Sequence, residues 1–187
     1  MGISNILDAK LNKNEIISVF CNPEDNYKAV VGFVAGVDEH HFVLKHVTVD
    51  GKYDGYVLRC KDQIFRIDRE TEYENARFTL YSFYGESHVD FHMEGSLLIS
   101  FLKFAQENDF VVGIGVKDYE ENSVFGLIDN IDLCNEVVSV HNINDEGHFD
   151  GFNEITFDSI VRMTADSEKG IRLKNLNRIA KNDSSIS

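Results

Sequence analysis

Gly51-Lys52-Tyr53-Asp54-Gly55-Tyr56, followed five residues later by Asp62-Gln63-Ile64-Phe65-Arg66-Ile67, is the stretch that decides the fold, because the chain contains it twice. The second copy is Gly147-His148-Phe149-Asp150-Gly151-Phe152, then Asp158-Ser159-Ile160-Val161-Arg162-Met163. Both read Gly-x-aromatic-Asp-Gly-aromatic, then Asp-polar-Ile-apolar-Arg-apolar. Asp-Gly pairs tolerate positive φ and punctuate hairpins. The short apolar runs after them alternate as strands do.

Working outward, the strand signals form two series. In the first half, residues 15–21, 28–37, 42–49, 56–60 and 64–67 read as five strands, with turns at residues 22–26 and 38–41. Ile3, Ile6, Leu7 and Leu11 place a short amphipathic helix ahead of them. In the second half, Leu97, Leu98, Phe101, Leu102 and Ala105 form a helix stripe that Ile99 and Phe104 widen almost all round. That helix is expected to pack between the two halves. Residues 111–116 and 124–132 then repeat the first two strands. Gly32 recurs as Gly126, an offset of 94, and Gly51 as Gly147, an offset of 96. Two extra residues are therefore expected in the second copy, near residues 142–145. Glycines within strands, such as Gly32 and Gly36, mark bends that a short sheet needs in order to curl.

Residues 70–81 fit both a helix face and a strand, and the helix is preferred. Residues 82–95 read as a polar connection, and residues 182–187 as a loose tail. The expected architecture is mainly β with short helices: two tandem five-stranded barrels, each preceded by an N-terminal helix. The expected division is residues 1–83, a linker at 84–95, and residues 96–187.

Composition narrows the function classes. The hydrophobic fraction of 43% suits a globular chain, and a net charge of −14 repels nucleic-acid backbones and anionic membrane surfaces. Cys21, Cys60 and Cys134 are too few and too scattered for a disulfide framework or a zinc site. The N-terminus lacks the basic and apolar regions of a signal peptide, and no apolar run is long enough to span a membrane. A cytoplasmic protein without cofactor or metal is expected.

Candidate chemistry is sparse. His88-Val-Asp90-Phe-His92 would present three metal-capable side chains on one face of a strand, but a polar linker is the preferred reading. Residues 142–153 approximate a calcium loop, yet the twelfth place holds Asn153 where a bidentate Glu is required, so a hairpin loop is preferred. Cys60 beside Arg59 reads as a small buried residue of a strand. The repeated Gly51, Asp54 and Gly55 (Gly147, Asp150 and Gly151) read as turn structure. The repeated Asp62 and Arg66 (Asp158 and Arg162) are expected to pair or to cap a turn. The aromatics Tyr53, Tyr56, Phe149 and Phe152 suit base stacking or core packing equally.

Val31-Gly32-Phe33-Val34-Ala35-Gly36-Val37-Asp38, with Phe42-Val43-Leu44 after it, resembles the first signature of Sm-like proteins. Residues 57–67 are similar to the second. The resemblance implies small SH3-like barrels that assemble edge to edge, commonly into rings that bind RNA. It implies RNA contacts at His41, Arg59 and Asn135. Arg59 is followed by Cys60 rather than Gly, and Ile155-Thr156 stands where the second copy would hold Arg-Gly. The expected function is therefore a non-enzymatic interaction or assembly module, through self-association or a protein partner. RNA binding is the alternative, and the net charge disfavours it.

Overall fold

In the computed structural model, described over residues 2–11, 13–24, 28–117 and 123–184, both repeated stretches open on tight hairpins. Thr48 N–H donates to Lys52 O (2.9 Å) and Gly51 N–H to Thr48 O (3.0 Å). Asn144 N–H donates to His148 O (2.9 Å) and Gly147 N–H to Asn144 O (2.9 Å). Gly51 and Gly147 have φ of +73° and +87°, a region that side chains enter only with strain.

The chain divides into two compact units, Met1–Ser100 and Phe101–Ser187. It is mainly β, with antiparallel strands and, among the described residues, four α-helices. The first unit holds α1 (Ile3–Lys10), β1 (Ile16–Phe20), β2 (Val30–Val37), β3 (His41–Val47), β4 (Tyr53–Cys60), β5 (Arg66–Arg69) and α2 (Glu72–Tyr84). Its strands run in the order β5-β1-β2-β3-β4. Helix α3 (Leu97–Glu107) straddles the division. The second unit continues with β6 (Val112–Val116), β7 (Val124–Asp132), β8 (Val137–Ile143), β9 (Phe149–Thr156), β10 (Ile160–Ala165) and α4 (Glu168–Ser184). Its order is β10-β6-β7-β8-β9, so in both units the fifth strand lies beside the first.

The register irregularities also match. The β2–β3 pairing shifts between Val34 and Gly36, and β7–β8 between Ile128 and Asn130. The β3–β4 pairing shifts between Lys45 and Val47, and β8–β9 between His141 and Ile143. The pairs Val37–Phe42 and Ile131–Val138 show where the offset changes from 94 to 96. The two extra residues lie in the β7–β8 turn, residues 133–136, and not at 142–145 as expected. There Asp132 Oδ1 accepts N–H bonds from Cys134 and Asn135, and Glu136 adopts φ +55° to close the longer turn.

Helix α2 replaces the ambiguity at residues 70–81, and its start explains why. Thr71 Oγ accepts the Tyr73 N–H (3.2 Å) while Thr71 N–H donates to Glu74 Oε2 (3.1 Å), a capping box. Gly85, at φ +66°, ends the helix. Helix α4 occupies the same place after the fifth strand of the second unit, where the sequence reading has no element. It takes in residues 182–184 of the expected loose tail. The rest of that tail, together with Asn12 and part of the expected turn at 22–26, lies outside the described residues.

All five residues of β1 are buried, because both its faces are covered. On one, Ile17, Val19, Val34, Phe42 and Leu44 pack with Leu7 of α1. On the other, Ile16, Val31, Phe33 and Val47 pack with Phe78 and Tyr81 of α2. In the second unit, Val111, Ile143 and Leu173 of α4 form a core with Phe125, Leu127 and Phe149. No described helix is long and apolar enough to cross a membrane.

Each hairpin glycine is pressed by the helix that follows its unit's fifth strand. A Cβ on Gly51 would run into Leu80 and the Tyr81 backbone, and one on Gly147 into Leu176 and the Asn177 backbone. Gly151 shares the positive φ, but a Cβ there meets nothing within 4 Å. Gly151→Ala is therefore expected to cost about 1 kcal/mol, the strain alone. Gly147→Ala adds steric overlap and is expected to cost about 3 kcal/mol. Urea unfolding measures both; equal losses would show that the helix does not press on the hairpin.

Candidate functional site

The second half of the repeated stretch builds an aromatic pair. Gly55 takes φ +65°, and the three-residue step from Tyr53 to Tyr56 on β4 matches the two-residue step from Val47 to Lys45 on β3. The extra residue is a β-bulge, and it brings two tyrosines three positions apart onto one face. Their ring centroids are 6.5 Å apart. His46 Nδ1 and Asp54 Oδ2, 2.9 Å apart, tie the bulge to β3.

The ring of His88 lies against both, 4.4 Å from Tyr53 and 5.3 Å from Tyr56. Its Nε2 is 3.0 Å from the carbonyl oxygens of both His46 and Gly55, so Nε2 carries the proton and donates. Nδ1 is then the acceptor for the Tyr81 hydroxyl, at 2.9 Å. Burial pushes this imidazole down to about 4, against the pull of the two carbonyls. Tyr56 OH donates to Val89 O, and Phe91 is buried beneath Gly36. Residues 84–95, expected as a connection, are thus held on the first unit by His88, Val89 and Phe91.

A cavity of about 380 Å³ opens beside this cluster, lined by Lys13, Asn14, Phe33, Lys45, Tyr81, Glu86 and Asp90 as well as His88. Its charges are mixed, and Lys45 Nζ lies 3.3 Å from Asp90 Oδ1. Both nitrogens of His88 are engaged, so the imidazole acts as a strut rather than as a base or ligand.

The second unit repeats the clasp with a different histidine. His141 of β8 stacks between Phe149 (centroids 3.7 Å, planes 14° apart) and Phe152 (4.3 Å, 16°). Lys181 Nζ lies 4.7 Å from the Phe149 centroid. Neither His88 nor His141 is legible as a partner of the aromatics from spacing alone. The recurring aromatic pair is the only signal in the sequence.

The other expected residues fall as follows. His41 begins β3 opposite Cys60, and Arg59 lies opposite Phe42, so their side chains leave opposite faces of the sheet and are not brought together. Arg59 is buried, and burial lowers the basicity of His41 against the opposing pull of Asp38. Burial alone would raise Asp38, but N–H groups of Leu97, His41 and His40 hold it below its usual value. Asn135, in the second unit, spends its side-chain amide on Asp132 Oδ2 (2.7 Å). Asp62 and Asp158 sit in 3₁₀ turns, Lys61–Gln63 and Phe157–Ser159. Arg66 does not pair with the Asp62 expected for it; it takes Asp68, two residues along the same strand, and lies 4.5 Å over the Phe20 ring. Arg162 stands opposite Gly115. His88, Asp90 and His92 are not brought together, because their segment is not a strand. Among the described residues no three His, Cys, Asp or Glu side chains are grouped to hold a metal. Residues 142–153 form the β8–β9 hairpin. Cys21 is buried, Cys60 half-buried and Cys134 exposed, and none of the three is in a disulfide.

Comparison with family models, with curated proteins and with solved structures finds no match.

The His88 strut carries a pH signature. Its folded pKa lies below the ordinary 6.5, so the unfolded chain takes up the proton first. The stability it contributes is complete above pH 6.5 and is lost as pH falls towards about 4. The full loss amounts to roughly 3 kcal/mol. His88→Asn is expected to flatten that part of the stability–pH curve measured by urea unfolding; an unchanged slope would remove His88 as its source.

Proposed function

We propose that the chain is a non-enzymatic, cytoplasmic assembly module built of two Sm-like barrels, which joins copies of itself by strand addition between β5 of one copy and β9 of the next. The observation that carries this reading is a contrast among the strands that end each order. Residues 55–59 of β4 are buried, as are Ile160 and Met163 to Ala165 of β10. β5 and β9 instead expose much of their length, and each pairs with one strand only among the described residues. An unpaired edge is a template for another strand, since its N–H and C=O groups have no partner in the ladder.

Charge supports the choice of partners. The exposed side chains of β5 include Arg66 and Arg69, and those of β9 include Asp150 and Glu154. Pairing β5 with β9 sets opposite charges across the seam, whereas β9 with a second β9 sets like charges together. Such a contact is head-to-tail, and it closes into a ring or runs on as a filament. The shared order of five strands and the resemblance of residues 31–44 to the Sm-like signature favour barrels as the building block.

Multi-angle light scattering tests this at tens of micromolar. The wild type is expected to show a mass several times 21.3 kDa. Asp150→Lys with Glu154→Lys, and separately Arg66→Glu with Arg69→Glu, are expected to reduce it to one chain. Mixing the two variants, whose reversed edges match, should restore assembly. A wild-type mass of 21.3 kDa would end the proposal.

A further inference from the structure

We infer that the exposed face of α4 is a second self-association surface, which docks on the exposed face of α2 in another copy. This goes beyond the strand-edge reading and does not depend on it. In a chain of net charge −14, α4 is a basic island, with five cations against two carboxylates in its 17 residues. Its outer face borders an open groove of about 660 Å³ that includes Lys169, Arg172, Leu176 and Ile179. Ile179 is 58% exposed.

The same places on α2, 96 residues earlier, are Tyr73, Ala76, Leu80 and Phe83. Their 3-4-3 spacing makes an apolar row whose ends are the exposed part, with Tyr73 48% and Phe83 80% exposed and Leu80 half-buried against the hairpin. Carboxylates lie near its two ends: Glu72 ahead, then Glu86, Asp90 and Glu94 in the segment after the helix.

Charge decides which faces meet. Two α4 faces would set Lys169 and Arg172 against their own copies, and two α2 faces would bring their flanking carboxylates together. An α4 face on an α2 face joins opposite signs. Antiparallel, Ile179 seats between Tyr73 and Ala76, and Lys169 lies over Phe83 in a cation–π contact. Arg178 and Lys181 then approach Glu72, while Arg172 approaches the acidic segment that follows α2. The antiparallel choice also opposes the helix dipoles. The contact is heterologous, one copy giving α4 and the other α2.

Cysteine cross-linking tests this. Ala76→Cys and Ile179→Cys are made in separate chains, each with Cys134→Ser to remove the exposed native thiol. Circular dichroism checks that both fold. On mixing and oxidation, the main product should be the 76–179 disulfide between chains, identified by peptide mass. It should persist when Asp150→Lys and Glu154→Lys disable the strand edge, which separates this surface from the first. Lys169→Glu with Arg172→Glu should lower the yield at least several-fold. Cross-links only between two copies of residue 179, or none, would overturn the inference. So would salt-sensitive retention of a labelled single-stranded RNA that these α4 changes abolish, since the basic face would then serve nucleic acid.

Discussion

One close approach organises each unit. The hairpin between the third and fourth strands passes so near the following helix that only a hydrogen fits at Gly51 and Gly147. The helix that closes the unit is thereby fixed across the hairpin. Arg77 of α2 then reaches Val47 O (3.0 Å), and Asn177 of α4 reaches Gly147 O (2.8 Å). These bonds satisfy carbonyls that a tight turn would otherwise leave to water. With one side of the helix committed to the hairpin and the sheet, its other side faces outward. Tyr73 and Phe83 on α2, and Lys169 and Ile179 on α4, are left exposed as a result.

Four residues further along, the glycines at 55 and 151 do different work. Their positive φ inserts a bulge that turns two aromatics to the same side, and each unit fills the resulting clasp with an imidazole. In the first unit it arrives from outside the sheet, on the segment after α2, and it is half-buried and neutral between two carbonyls and a phenol. In the second it comes from the neighbouring strand, and Phe152 stays 57% exposed. One local motif therefore takes its imidazole from two different chain segments, with both ring nitrogens bonded in the first unit and the ring stacked between two phenyls in the second.

Much of the strand layout was legible because its signals are local. Asp-Gly turns, alternating apolar residues and in-strand glycines lie within a few positions of what they determine. The capping box Thr71–Glu74 is equally local and would have decided residues 70–81 for a helix. The position of the inserted residues was not legible from identities, since the longer turn that opens on Asp132 shares only that Asp with its counterpart at residues 38–41. Helix α4 was missed because its polar, basic sequence carries a weak apolar stripe; Leu173 and Leu176 register only once the hairpin is in place beneath them. The strut role of His88 is not legible because its partners, the carbonyls of His46 and Gly55, are backbone atoms that no spacing rule identifies. The pairing of Arg66 with Asp68 rather than Asp62 has a similar cause, because Asp62 is drawn into a 3₁₀ turn.

We propose β5 and β9 as joining edges, and amide hydrogen exchange followed across protein concentration reads those edges directly. Protection of amides in residues 66–69 and 149–156 should rise together as concentration increases, while amides of β2 and β7 stay constant. Exchange at both edges that is independent of concentration, in a sample shown to be assembled, would contradict the claim.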